Sequence, residues 1–424
     1  MKKRLGFILG FLIVAGAIVA SLLAPISQPA PEVVSLPVSR MLACPVGDSN
    51  LGKTVVTVTD QESFVAGELN ALPLAPTTNT NIENPAKPVI VRGSSTVGGV
   101  SVYSAPDGTL VAPCAPPITS GVWNGVSTQD GATLVFTNVD SSSAVVDIFL
   151  YGQTGAISQP GLRDVPVASG ATQMLPIDTG LVLSDTPISV QIRASKGRVA
   201  AVLRIMGPQG YDWQLPQTSP DVDLIIAGVP SGEGLRTLSV TNTDPTNKAV
   251  ITVEVLGESG SFAPLGLETI EVPPSRVMSI DVTQALGGQA SAVHLASDRP
   301  VTATITVTGP DIAGISAQPA LNGAVVLPGL GGTLWVVNPS DDPTTLTLGS
   351  DDGQGVASSS DSEIPAHTIV PIPFPTSGTV RVSTESSVVR TSLVLTDPSW
   401  SILPIWGGGL VASVEVPQIA PGLG

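Results

Sequence analysis

Three stretches of this chain begin alike: TLVFTNVD at 133–140, TLSVTNTD at 237–244 and TLWVVNPS at 333–340. Self-similarity constrains a fold more tightly than local propensity does, because each copy has to be one packing unit. The starts lie 104 and 96 residues apart. That is the length of one β-sandwich, well beyond the roughly 20–50 residues of a solenoid or propeller repeat. Each copy opens with a β-rich run that ends in an asparagine: Asn138, Asn242 or Asn338. An asparagine there can hydrogen-bond its own downstream backbone and start a turn. A hairpin strand follows, AVVDIFLYGQTG (144–155) and AVITVEVLGESG (249–260), degraded in the third copy to TTLTLGSDDGQG (344–355). Then come a Val-Pro or Ile-Pro step (Val165-Pro166, Val272-Pro273, Ile364-Pro365), a late strand and a final strand. The late strand reads SVQIRAS (189–195), AVHLASD (292–298) and TVRVSTE (379–385).

The 424 residues are too many for one hydrophobic core. With 44 glycines, 39 prolines and 42% apolar residues, the composition is that of many short strands joined by turns. The fold class expected is all-β: tandem β-sandwich domains of immunoglobulin-like architecture behind one N-terminal transmembrane helix. "Immunoglobulin-like" means architecture only, since the Cys…Trp…Cys hallmark is absent. The expected layout is a helix or signal anchor at 1–24, a proline-rich linker at 25–38 and a disulfide-tied β domain at 39–117. Sandwich repeats at 118–216, 217–319 and 320–408 and a tail at 409–424 complete a membrane-tethered stalk. Linkers fall near 216–223 and 316–323. The low-complexity TTNTNIENPAKP interrupts the first domain, which can be a diverged fourth copy.

Lys2, Lys3 and Arg4 precede an uncharged apolar run, Leu5 to Ala24. About twenty helical residues span the ~30 Å of a bilayer core, and the basic cluster stays cytoplasmic. The expected partner is therefore the cytoplasmic membrane, through residues 5–24, with the rest of the chain extracytoplasmic. An uncleaved anchor is favoured because the cleavage sites are poor: Ala15-Gly16-Ala17 leaves a short apolar run, and Leu22 precedes Ala24. Secretion after signal cleavage is the alternative. Cys44 and Cys114, an isolated pair in an oxidising compartment, are expected to form a disulfide. The faint lipobox Leu42-Ala43-Cys44 lies too far beyond the apolar run for signal processing.

Chemistry is thinly represented. A formal charge of −16 opposes nucleic acid. No P-loop, G-x-G-x-x-G or C-x-x-C is present, so no cofactor, metal or catalytic residue is assigned. His294 takes the place of Gln191 and Arg381 in the other copies, between core positions Val293 and Leu295. Alternation then puts it on the solvent face. His367 follows Pro365-Ala366 in a turn. Asp341, Asp342, Asp351 and Asp352 sit in turns, with Asp361 and Glu363 following, and are read as solvated carboxylates rather than as a calcium site. Trp123, Trp213, Trp335, Trp400 and Trp406 are core aromatics or, alternatively, a glycan-stacking face.

The segment LPVSRMLACPVGDSN, with Leu36-Pro37-Val38, Arg40 and Cys44-Pro45, resembles an uncharacterised actinobacterial family of unknown function. Its members share an N-terminal apolar segment, an LPV-x-R…CP motif and repeats of the TLxVTN type. The resemblance implies an envelope location and no activity or site residues. The function expected is a non-catalytic envelope protein with a structural or interaction role, whose partner is an envelope protein or cell-wall glycan. A carbohydrate-binding accessory protein and an envelope hydrolase are the alternatives.

Overall fold

The computed structural model describes residues 33–34, 39–45, 53–94, 96–105, 108–207, 210–309, 311–351, 357–396, 400–407 and 414–415. Residues 38–410 form one compact unit; residues 1–37 and 411–424 form another. In the second, the described residues are a short antiparallel ladder of Val33–Val34 with Val414–Glu415. The expected membrane helix at 1–24 and nearly all of the linker and tail lie outside the described residues. Among the described residues no helix is long and apolar enough to cross a membrane. The helix they contain is the four-residue Thr283–Leu286.

The three repeats share one topology. In the first, Ala144–Gly152, Ile188–Lys196 and Ser120–Val126 are adjacent strands of one sheet. Thr172–Ile177, Ala132–Thr137, Val199–Gly207 and Gly210–Gln214 follow one another in the facing sheet. Alternating residues from both sheets, among them Trp123, Leu134, Phe136, Ile148, Val190 and Leu203, meet in a single core. The second copy repeats this order, except that the late and final strands fuse into Ser291–Thr308, which serves both sheets. In the third copy the hairpin that looked degraded is intact: Thr344–Asp351 pairs with Ala357–Ile364 along its whole length. Register is conserved among copies, with Phe149, Glu254 and Gly349 opposite Gln191, His294 and Arg381.

The three asparagines hold each copy together. Each is fully buried. Asn138 donates from Nδ2 to the Ser142 and Val167 carbonyls (2.8 and 3.0 Å) and accepts from the Asp140 N–H (3.0 Å). Asn242 treats Asn247, Val272 and Asp244 the same way, and Asn338 treats Asp342, Ile364 and Ser340. The side chain thus closes its own turn, as expected, and also ties that turn to a strand about 26–30 residues on. This geometry corrects the first-copy alignment. The residue equivalent to Val272 and Ile364 is Val167, followed by Ala168, and the Val165-Pro166 step lies two residues early.

The first domain is a six-stranded structure around Lys53–Glu68. Its first half pairs with Thr77–Glu83 and Gly98–Ala105, and its second half with Val89–Ser94. The low-complexity stretch is therefore a strand. Its alternating threonines and asparagines suit a solvated edge, where hydrophobic patterning is not required.

The expected stalk is overturned. The four domains contact one another in a closed cycle, through outer sheet faces or, between the third repeat and the first domain, through the edge strands Gly323–Pro328 and Ser401–Ile405. First domain and first repeat share an apolar seam of Ala43, Tyr103 and Ala112 against Val135, Val202 and Trp213. Tyr103 and Trp213 stack there at 5.8 Å. Between the first and second repeats the seam is polar. The Thr302 hydroxyl donates to Asn124 Oδ1 (3.0 Å), Ser189 and Thr241 share a hydrogen bond (2.5 Å), and Gln214 donates to Ser316 (3.0 Å). Ile225, Ala227, Leu256 and Ala292 of the second repeat cover Val337 and Ile369 of the third. The third repeat returns to the first domain, where Val326 N–H donates to Thr96 O and Val111 N–H to Ser401 Oγ. The linkers are pinned rather than loose. Gln217 pairs its backbone with Val122 and its side chain with Val301 and Ala303; Gln318 joins Ile225 and Ala227 to Ser392.

Two predictions follow from these buried groups. Asn242→Ala should lower the unfolding free energy by about 2–4 kcal/mol, since it orphans several buried partners. Chemical denaturation measures this, and a change under about 0.5 kcal/mol, normal for a surface site, contradicts the clamp. The second concerns pH. Asp212 is wholly buried in the polar seam, and burial pushes its carboxyl well above the ordinary range, against N–H donors from Gly314 and Trp213. Burial also raises Asp311. A raised carboxyl contributes stability below the unfolded value of about 4 and loses it as pH rises through its folded value. Asp140, held low by Arg198, and Asp244, held low by the Thr246 and Asn247 N–H groups, lose theirs only as pH falls below that range. Stability should therefore decline from mildly acid pH toward neutrality, and Asp212→Asn should flatten that slope.

Candidate functional site

Cys44 and Cys114 are joined, as expected. Both are buried in the first domain's core beside Val58, Phe64 and Val91. The flanking Ala43 and Ala115 exchange backbone hydrogen bonds, which brings the two chain segments side by side. Gly99 is required next to them, because a Cβ there would lie 2.8 Å from Cys114 Sγ. In the described part of the LPV-x-R…CP segment, the Pro45 carbonyl accepts from Ser101 and Tyr103, while Leu36-Pro37-Val38 lie outside the described residues. Replacing both cysteines by alanine should cost about 4 kcal/mol in the chain-entropy model. Non-reducing mass spectrometry of alkylated protein should find neither thiol labelled.

The two histidines of the chain both sit among carboxylates. Val293 and Leu295 are buried and His294 points to the opposite face, as alternation requires. It does not stand free in solvent, and that expectation is corrected. Its side chain is 22% exposed, with Nε2 2.6 Å from Asp223 Oδ1 and Nδ1 3.2 Å from Glu254 Oε2. Glu254 is directly cross-strand in register, and Asp223 reaches in from the neighbouring strand. Neutral imidazole carries one N–H and imidazolium two, so only the protonated ring donates to both carboxylates. Burial raises the Glu254 carboxyl, but hydrogen bonds from Ser261 and His294 outweigh it and hold the group below its ordinary value. Ser261 Oγ donates to Glu254 Oε1 at 2.5 Å. The serine therefore faces the carboxylate and not the imidazole, the wrong order for an activated nucleophile.

The other copies show why alternation alone misled. Gln191 shares the outer face of the late strand with Ser189, which bonds Thr241 across the polar seam. It is buried there and accepts from the Tyr151 hydroxyl at 2.9 Å. Arg381 remains exposed. "Outside the core" means solvent in one copy and a domain seam in another.

His367 occupies its expected turn at φ 54°, with Nε2 2.8 Å from Asp341 Oδ1. Of the other acidic residues, Asp361 and Glu363 lie on the strand Ala357–Ile364 rather than in a turn. Asp361 accepts from Thr347, and the Asp342 carbonyl accepts from Asn338 and Ser340. Among the described residues no group of three His, Cys, Asp or Glu side chains has metal-holding geometry. Asp352 lies outside the described residues. The tryptophans form no exposed row. Trp123 and Trp213 are buried, Trp335 and Trp400 pack on the second repeat's core, and Trp406 packs in the seam of the first domain. Sequence reasoning missed Asp212, Gln217 and Gln318. Their signal was faint, a polar residue within or just after an apolar run.

His294→Gln should lower stability by about 0.5–1 kcal/mol, the worth of a partly exposed ion-pair cluster. Val293→Ala or Leu295→Ala should cost about 1–4 kcal/mol through cavity formation. Denaturant titrations of the three variants check the order, and an His294→Gln loss as large as theirs would contradict it.

Residues 95–375 match the family described as "Family of unknown function (DUF5719)". No curated protein matches the chain. The matched span carries the three asparagine-ended strands, the first two repeats, most of the third and only the end of the first domain, while the LPV-x-R…CP residues precede it. Since the match covers well over half of its length, the chain belongs to the DUF5719 family, a family of unknown function.

Proposed function

We propose that this protein is a non-catalytic, extracytoplasmic component of the cell envelope, held at the cytoplasmic membrane through residues 5–24. In this reading its role is structural or protein-binding, its repeats are immunoglobulin-like sandwiches, and it engages neither nucleic acid nor a cofactor. The observation that carries the reading is the commitment of the polar groups. Both nitrogens of His294 are taken by carboxylates, Ser261 is turned to Glu254, and a buried polar network joins two domains. A chain so built invests its chemistry in holding four domains together. The buried disulfide supports an oxidising compartment, and the basic-then-apolar N-terminus supports the orientation.

A second reading, an envelope hydrolase, draws on the carboxylates at hydrogen-bond distance from His294. It now ranks above glycan binding, which lacks its tryptophan row. Crosslinking in intact cells, followed by capture of the full chain, tests the proposal. A specific envelope protein recovered with wild type and with His294→Gln alike supports it. Hydrolysis of envelope material that His294→Gln abolishes would replace it with the hydrolase.

A further inference from the structure

At one end of the domain cycle the three inter-domain connections converge with the two ends of the compact unit. Pro117, Thr218 and Ala320 come from the connections, and Arg40 and Trp406 from the ends. Together they line a cleft of about 660 Å³, the size of a small-molecule site. Arg40 and Trp406 also line a much smaller apolar void of about 40 Å³ that reaches toward the first domain's disulfide. The cleft is chemically unlike the rest of the molecule. The chain carries 34 acidic and 18 basic residues, yet the described residues lining this cleft include two arginines and no carboxylate.

The arginines are not equivalent. Arg198 is already neutralised by Asp140, through Nε and Nη2 at 2.9 and 3.0 Å. Arg40 is 7% exposed and donates from Nη1 to the Val97 carbonyl at 3.2 Å; among the described residues no carboxylate pairs with it. Burial lowers its guanidinium to about 10, which leaves it charged at neutral pH. A buried cation without a counter-charge is costly, and folded proteins pair such groups. Guanidinium presents a planar fork of donors that fits phosphate and carboxylate oxygens. Trp406 and the prolines supply apolar walls, and Thr218 and Ser387 supply hydroxyl donors.

We propose that this cleft binds an organic oxyanion, a phosphate- or carboxylate-bearing group seated on Arg40 with its apolar part against Trp406. The site is independent of the envelope reading above.

Trp406 provides the readout. Full-length protein in detergent micelles is titrated with inorganic phosphate, glucose 6-phosphate and glucuronate, with glucose as the neutral control. The same protein is compared in phosphatidylglycerol and phosphatidylcholine nanodiscs. A saturable change in tryptophan emission with an anion but not with glucose is expected, and it should vanish in Trp406→Phe. Arg40→Gln should weaken the midpoint by about tenfold or more, as loss of a charge-assisted hydrogen bond implies. Because Arg40 is buried, Ala320→Glu is the second variant. It leaves Arg40 in place, puts a carboxylate in the half-exposed wall of the cleft, and should weaken binding likewise. A response to phosphatidylglycerol alone identifies the oxyanion as a lipid headgroup. No saturable response to any anion or to phosphatidylglycerol, or an unchanged midpoint in Ala320→Glu, overturns the proposal.

Discussion

Each domain of this protein turns part of its outer surface to a neighbouring domain, and many of its other features follow from that. An isolated antiparallel sandwich buries one face of each sheet and leaves the other to water. Here parts of the outer faces are seams, while others, such as the face that carries Arg381, stay exposed. Val135 and Val202 meet the first domain, Ile225 and Ala227 meet the third repeat, and Ser239, Thr241 and Thr304 meet the first. Apolar and hydroxyl residues occupy the outward positions of the seams, in keeping with a charged share of 12%. The seams also explain apolar runs such as Leu224–Ile226 and Val199–Leu203, in which strand alternation is lost.

Burying so much backbone and side-chain polarity requires that it be satisfied internally. The asparagine clamp does this three times with one geometry, which is why it survives where neighbouring residues have diverged among the copies. The glutamines of the two linkers do it between copies, each holding a strand of one domain and a strand of the next. The polar seam around Asn124 and Thr304 differs in kind from the apolar ones. Small hydroxyls pack closely but contribute little transfer energy, so its specificity comes from hydrogen-bond pairing.

Charge is distributed along the same lines. Acidic residues occupy turns and rims, where Asp244 and Asp281 accept neighbouring donors in water. Four charged groups among the described residues are buried instead; Asp60 accepts from Ser94 and Thr96, and Arg236 donates to the Pro230, Gly232 and Gly234 carbonyls. Asp212 lies in the polar seam with N–H donors and no cation among its contacts, and Arg40 lies at the convergent linkers with no anion among the described residues. Asp212 is a cost of closing the cycle. Arg40 faces a cleft large enough to hold its counter-charge.

The sequence alone determined the repeat, its strand order, the disulfide and which residues of the late strand face the core. All of these rest on local periodicity or on the pairing of two cysteines, and Val293 and Leu295 obey it. The asparagines were legible as turn formers, though not as ties to a distant strand. The fate of the opposite face was decided only by tertiary structure. Gln191, His294 and Arg381 occupy equivalent positions with the same alternation, yet one is buried in a seam, one bridges two carboxylates and one is exposed. Strand periodicity encodes which side of a sheet a residue takes. What lies beyond that side depends on how domains about a hundred residues long close on one another, and no local pattern records it.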